Sequence, residues 1–330
     1  MKRAQPPRAS GKSSRAKTGR AKLSGLSTEQ ANPASRELDL KSSLAIARIL
    51  NAQDAKVAGA VKRALPQIAR AIDLIAASLQ NGGRLIYVGA GTSGRIAALD
   101  AAECPPTFNT SPKMVQYVMA GGARALGAAV EANEDSRKSG EREMARKKPG
   151  KNDVVVGIAA SGRTPFTVAA VEYARRHGAQ TIAVTCNRDS ALEKAAHSAI
   201  VVEVGPEVIS GSSRMKAGTA QKMVLNMLST GAMTRLGYVY GNLMVNVHPK
   251  NEKLLERGIT ILQRAAGIDR GRSEHALKTA GNNVAVALVM IEAGVDRAQA
   301  SQALKAAGGH VRRAIAAARS ERGFRPRRHS

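Results

Sequence analysis

The segment Leu85 to Gly94 constrains this 330-residue chain more than any other stretch. A short apolar run, Leu85-Ile86-Tyr87-Val88, stops at Gly89-Ala90-Gly91-Thr92-Ser93-Gly94. An apolar run of that length, punctuated by glycines and followed by helix-compatible residues, reads as a buried strand turning straight into a helix. The leading N–H groups of such a helix carry partial positive charge and face the turn, which makes the turn a cradle for an anion. The helical stretch is expected to end at Glu103, just before Cys104-Pro105-Pro106. That places a carboxylate about three turns beyond the cradle, at a rise of ~1.5 Å per residue.

Gly89, Gly91 and Gly94 also spell G-x-G-x-x-G, so a dinucleotide site has to be weighed. Such a site needs an acidic residue about 20 positions on, at the end of the second strand, to hold the ribose. Here the second run, Val115–Met119, ends in Ala120-Gly121-Gly122. That argues against NAD, and the lack of G-K-[ST] argues against a nucleoside triphosphate loop.

A second turn of the same kind fits better. Val154-Val155-Val156-Gly157-Ile158-Ala159 leads into Ala160-Ser161-Gly162-Arg163-Thr164-Pro165, again strand, hydroxyl loop and helix start. Hydroxyl residues at one helix start are ordinary capping. Two such turns, each after an apolar run, favour a sugar-phosphate pocket built from Gly91, Thr92, Ser93, Ser161, Gly162 and Thr164. Ser212 and Lys216, around the start of a long helix at 214–236, are further candidates to touch the substrate.

The rest of the chain supports a layered α/β fold. Helix-spaced apolar residues fill 35–80, with Pro66 starting or kinking a helix. Runs at 85–88, 115–119, 154–159, 181–185 and 199–204 alternate with helical stretches, as in a parallel sheet covered on both faces. The expectation is a doubly wound, flavodoxin-like three-layer αβα sheet, with a small C-terminal helical bundle. The boundaries read as a basic disordered tail at 1–25, the α/β domain with its helical lead-in at 26–268, a three-helix bundle at 269–318 and a basic tail at 319–330.

The net charge of +26 is concentrated at the ends. Residues 1–25 hold eight Lys/Arg and no acid, and residues 311–330 add a net six, which makes 14 of the 26. With no Trp and few aromatics to stack on bases, the charge reads as solubilising tails, and nucleic acid is not the expected partner. Cys104 and Cys186 fit no metal or redox spacing, and no apolar run approaches the ~20 residues of a membrane span. A reduced, cytoplasmic protein is expected.

Four segments carry a specific resemblance: GRLIYVGAGTSGRIAALDAAECPPTF, Ala132-Asn133-Glu134-Asp135-Ser136, ASGRTPF and GPEVISGSSRMKAGTAQKM. Together the chain resembles the N-acetylmuramic acid 6-phosphate etherases, proteins of the sugar isomerase (SIS) fold, from about Leu26 to Leu254 and beyond. Its C-terminal helices are similar to that family's ubiquitin-associated-like end. The basic tails are extra, and Asn109 stands where the family commonly has Gly. The resemblance implies cleavage of the lactyl ether of MurNAc 6-phosphate to GlcNAc 6-phosphate and D-lactate, without metal or cofactor. It carries the family's two glutamates onto Glu103, assigned as the acid at the lactyl oxygen, and Glu134, assigned as the base at C2. It also implies a homodimer with the site near the subunit interface. Two alternatives share the fold: an aldose–ketose isomerase, and a non-catalytic sugar-phosphate sensor like the glucokinase regulatory proteins. Outside these assignments, Asp135 and Glu131 read as supporting or exposed, and His248 receives no role.

Overall fold

The computed structural model describes residues 26–128, 133–247 and 251–321. Two helices lead in, α1 (Ser43–Arg63) and α2 (Leu65–Gln80), with Pro66 in the first turn of α2, so the proline starts a new helix. Then follow β1 (Leu85–Gly89), α3 (Gly91–Phe108), β2 (Val115–Met119), α4 (Arg124–Gly127), α5 (Arg137–Lys147) and β3 (Val154–Ile158). The sheet continues through α6 (Pro165–Arg176), β4 (Gln180–Thr185), α7 (Ala191–Ala195) and β5 (Ser198–Val201).

The five strands pair in the order β2-β1-β3-β4-β5, all parallel. Period-two alternation divides their side chains between two cores. Leu85, Tyr87, Val154, Val156 and Ile182 pack against α1, α2, α3 and α8 (Lys216–Arg235). Ile86, Val88, Val155 and Ala183 pack against Met144 of α5, Phe166 and Val171 of α6 and Leu192 of α7. This is the expected doubly wound three-layer sheet. From β1 the chain goes outward to β2, then returns to the other side of β1 for β3. Ligands bind in the crevice beyond the carboxyl ends of the strands at such a reversal.

A small hairpin, β6 (Val239–Tyr240) and β7 (Leu243–Met244), leads to α9 (Glu252–Ala266), α10 (Arg270–Thr279), α11 (Val284–Ala293), α12 (Arg297–Ala306) and α13 (Val311–Glu321). The C-terminal unit differs from the sequence expectation. Gly281, Gly294 and the Gly308-Gly309 pair separate four helices, not three. In addition, Val245, Val247, Ile259, Ile261 and Leu262 share one apolar core with them. The second core therefore begins near Val245 and not at 269, because the amphipathic α9 buries its apolar stripe against α10 and α11.

Local chemistry fails visibly at Cys104-Pro105-Pro106. The helix does not end at Glu103: α3 runs through both prolines to Phe108. The prolines remove the N–H groups that would bond to the Ala101 and Ala102 carbonyls. Cys104 and Phe108, 2% and 5% exposed, are nevertheless buried in the core, so packing holds the last turn helical. Asn109 then ends the helix in the left-handed region at φ +52°, a conformation that suits Gly or Asn. The Asn246 amide donates to the Phe108 carbonyl at 2.7 Å and ties the C-terminal unit to this end of α3.

The described part of the expected C-terminal tail, 319–321, belongs to α13. The rest of that tail, the whole N-terminal tail, Glu131 and His248 lie outside the described residues.

Candidate active site

The two glycine-hydroxyl turns stand side by side at the carboxyl ends of β1 and β3, which pair directly. In the first, Gly89 and Gly94 touch. A Cβ on Gly94 would meet Met119 at 2.8 Å and the Gly89 carbonyl at 3.0 Å, so both positions need glycine for strand and helix to approach. Gly91 adopts φ +52°. The N-cap residue of α3 is Ala90, whose side chain makes no cap hydrogen bond. Gly91 and Thr92 are half-buried.

In the second turn, Ser161 Oγ accepts the Arg163 N–H at 3.2 Å, and Thr164 stands at the N-cap of α6 without bonding to it. Gly162, at φ +67°, packs against Ser190 and Thr185 with no room for a side chain.

Glu134 sits between the two turns. Its backbone carbonyl accepts the Phe166 N–H of α6 at 3.0 Å. Gly140, near the start of α5, lies directly on the Phe166 backbone, so α5 and its preceding loop are pressed onto α6. The Glu134 Oε1 atom lies 3.1 Å from where a Cβ on Gly91 would stand. A carboxylate is thereby hung over the positive end of α3, a distance of 43 residues along the chain. Asp135 is exposed.

Glu103 is not brought to this place. It is exposed on α3, 12 residues beyond Gly91, which is about 18 Å along the axis. It lines a separate pocket of about 320 Å³ with Ile96, Leu99, Asp100, Lys222 and Asn226. Beneath it Asp100, 7% exposed, accepts hydrogen bonds from Tyr87 Oη at 2.8 Å and Ser229 Oγ at 3.1 Å. Burial pushes the Asp100 carboxyl up to about 6, against the pull of those two hydroxyls and the Lys222 charge. Burial likewise pushes the Cys104 and Cys186 thiols up to about 12, so both are inert core residues.

Lys216 and Ser93 occupy structural places that their sequence neighbourhoods do not reveal. Lys216 is buried, and its ammonium donates to the Val204 carbonyl at 2.9 Å and to Gln53 Oε1 at 3.4 Å. Desolvation holds its pKa below the usual lysine value, although Glu207 opposes this. Ser93 is buried and donates to Gln221 Oε1 at 2.9 Å. Ser212 is half-buried in the loop before α8. Arg95 holds the α4 loop through the Leu126 and Ala128 carbonyls.

Two buried residues were missed by sequence reasoning. Glu207 accepts the Lys216 and Ala217 N–H groups at 3.0 and 2.9 Å, filling the N-terminus of α8 with the chain's own carboxylate. The start of α8 is therefore closed to an external anion. Asn187 joins Ser27 and Thr28 to the Ala160 carbonyl, clasping the start of the described chain against the second turn. Neither carries a local signature, since their partners lie far off in sequence.

Comparison with known proteins identifies the family. A profile described as the glucokinase regulatory protein N-terminal SIS domain matches residues 67–175, and one described as the SIS domain matches 137–231. The N-acetylmuramic acid 6-phosphate etherase of Symbiobacterium thermophilum is 57% identical over 270 residues, spanning 82% of this chain and 89% of that one. N-acetylmuramic acid 6-phosphate etherase 2 of Vibrio parahaemolyticus is 51% identical over 269 residues, 82% of this chain and 90% of the relative. A phosphoheptose isomerase structure from Francisella tularensis is more distantly similar, at 19% identity and a TM-score of 0.45, covering 59% of this chain and 100% of that one. Identity above one half across four fifths of its length makes this chain a member of the N-acetylmuramic acid 6-phosphate etherase family.

Proposed function

We propose that this protein cleaves the lactyl ether of MurNAc 6-phosphate, releasing D-lactate and GlcNAc 6-phosphate. The observation that carries the reading is the Glu134 carboxylate over the start of α3, beside a second hydroxyl turn, in a chain of this family. In the ring-opened sugar, C1 is an aldehyde and the C2 proton is acidic. Glu134 removes that proton, a C2–C3 double bond forms, and the C3–O bond breaks. The departing lactate oxygen takes a proton from Glu103. Water then adds at C3, C2 regains a proton, and GlcNAc 6-phosphate results. Two carboxylates in different surroundings suit this division of labour. The sugar phosphate is held by Gly91, Thr92, Ser93, Ser161, Gly162 and Thr164, with Ser212 at the rim. Lys216 serves by fixing the start of α8.

The separation of the two glutamates along α3 gives the reading its assembly. One chain does not bring both to one substrate, so the acid at each site comes from a second copy in a homodimer. Supporting this, the Glu103 pocket shares Asn226 with an open apolar groove of about 580 Å³ formed by Leu65, Ile72, Met223 and Met227. Leu99 is 49% exposed beside it. A second copy would cover that face. No helix among the described residues is long and apolar enough to cross a membrane, and a cytoplasmic location fits a cytosolic sugar phosphate.

Incubation with MurNAc 6-phosphate in D₂O tests the chemistry. Lactate together with deuterium at C2 of the sugar product is expected. Lactate without deuterium would remove the elimination route, and sugar-phosphate binding without lactate would point to a sensor.

A further inference from the structure

Gln221 lies on α8 one turn beyond Gly218, whose missing Cβ lets Thr92 and Ile96 of α3 come within contact distance. It is 2% exposed. Its Oε1 accepts the Ser93 hydroxyl, and its Nε2 is buried with no partner among the described residues. An orphaned buried N–H pair beside the first turn of α3 is costly and calls for an explanation.

We propose that Gln221 is a positioning residue that sets the direction of the Ser93 hydroxyl proton when the sugar phosphate binds. An amide presents a donor and an acceptor of nearly equal shape, exchanged by a half-turn about its last torsion. With Oε1 toward Ser93, the hydroxyl proton is spent on Gln221 and Nε2 is orphaned. With Nε2 toward Ser93, the amide donates to the hydroxyl oxygen, and the Ser93 proton is released toward the cradle. Without a ligand that second arrangement leaves the hydroxyl proton, Oε1 and the other amide hydrogen unsatisfied. A substrate oxygen in the cradle accepts the proton, leaving one amide hydrogen and a carbonyl oxygen in place of two amide hydrogens, and an orphaned carbonyl is less costly than an orphaned N–H. The ligand thus tips a small local equilibrium, and the turned amide, by donating to the Ser93 oxygen, holds the hydroxyl proton aimed at the ligand.

This inference rests on the proposed function for the identity of the ligand, so the test uses product binding as well as turnover. Gln221→Leu, Ser93→Ala and the double variant are compared with the unaltered protein. The readouts are GlcNAc 6-phosphate affinity by calorimetry and KM and kcat for lactate release, with melting temperatures checking the fold. Each single variant is expected to weaken product binding and raise KM about tenfold, the worth of one hydrogen bond to a charged group, with kcat changed less. The double variant is expected to be no worse than either single one. Gln221→Glu, which offers the hydroxyl only acceptors, is expected to bind at least as weakly as Ser93→Ala. Unchanged affinity and KM in a folded Gln221→Leu would overturn the proposal, as would single effects that multiply in the double variant. Product binding with these couplings but no lactate release would sustain the role of Gln221 and sink the etherase reading instead.

Discussion

The Glu134 carboxylate and the Gly91 backbone are neighbours because Gly91 has no side chain: Oε1 lies 3.1 Å from where its Cβ would be. Gly91 also takes φ +52°. One glycine thus serves both the turn that opens the helix and the room for the carboxylate above it.

Gly91→Ala is expected to cost about 1–2 kcal/mol from the left-handed backbone alone. It should also displace Glu134 and lower kcat at least tenfold in the folded fraction. Gly122→Ala separates the two effects, since Gly122 has φ +63° and open space around it. It should show a similar loss in denaturant midpoint with turnover per folded molecule kept.

Glu103→Gln and Glu134→Gln should each reduce lactate release by about 10²–10⁴-fold, the usual worth of a positioned acid or base. A site shared between copies adds a sharper expectation. Unfolding the two inactive proteins together and refolding them as a mixture should restore roughly a quarter of the original activity, because half of the two-fold dimers then hold one intact site. No recovery, with dimers confirmed by light scattering, would mean that both glutamates act within one chain.

Asp100 makes the stability pH-dependent in a defined direction. Its folded pKa of about 6 exceeds the ordinary 3.8. Between those values the folded chain keeps a proton that the unfolded chain has released. This group's contribution is full below about pH 4, falls as pH rises, and is lost above about 6, by up to ~3 kcal/mol. Denaturant midpoints from pH 4 to 8, measured against Asp100→Asn, should show the gap moving in favour of the variant as pH rises. A gap independent of pH would refute it.

Glu207→Gln replaces the buried carboxylate at the start of α8 with a neutral amide. It keeps one acceptor for the Lys216 and Ala217 N–H groups and loses the charge that favours a helix N-terminus. A loss of about 1–2 kcal/mol is expected from chemical denaturation, with GlcNAc 6-phosphate affinity changed less than threefold.

Residues near one another in sequence were read well and residues joined from afar were not. Strands β1 to β5, their helices and both hydroxyl turns were legible, because apolar period and glycine spacing are local properties of the chain, whereas Glu134 was named only through the family resemblance. The start of α2 at Pro66 was legible for the same reason. The prolines of α3 misled, since burial of Cys104 and Phe108 in the common core outweighs two missing helical bonds. The buried partners of Lys216 and Ser93 were not legible, because Gln53 is 163 residues from the one and Gln221 is 128 residues from the other.

By itself, then, the sequence determined the layered α/β fold and its two glycine-hydroxyl turns through short-range pattern, and the family through likeness. Only the tertiary structure decided that Glu207 fills the start of α8, which hydroxyl is already engaged, and that Glu103 lies well along α3 from the turn that Glu134 overhangs. Those depend on the rigid length of α3 and on buried polar groups that must find partners wherever the fold places them.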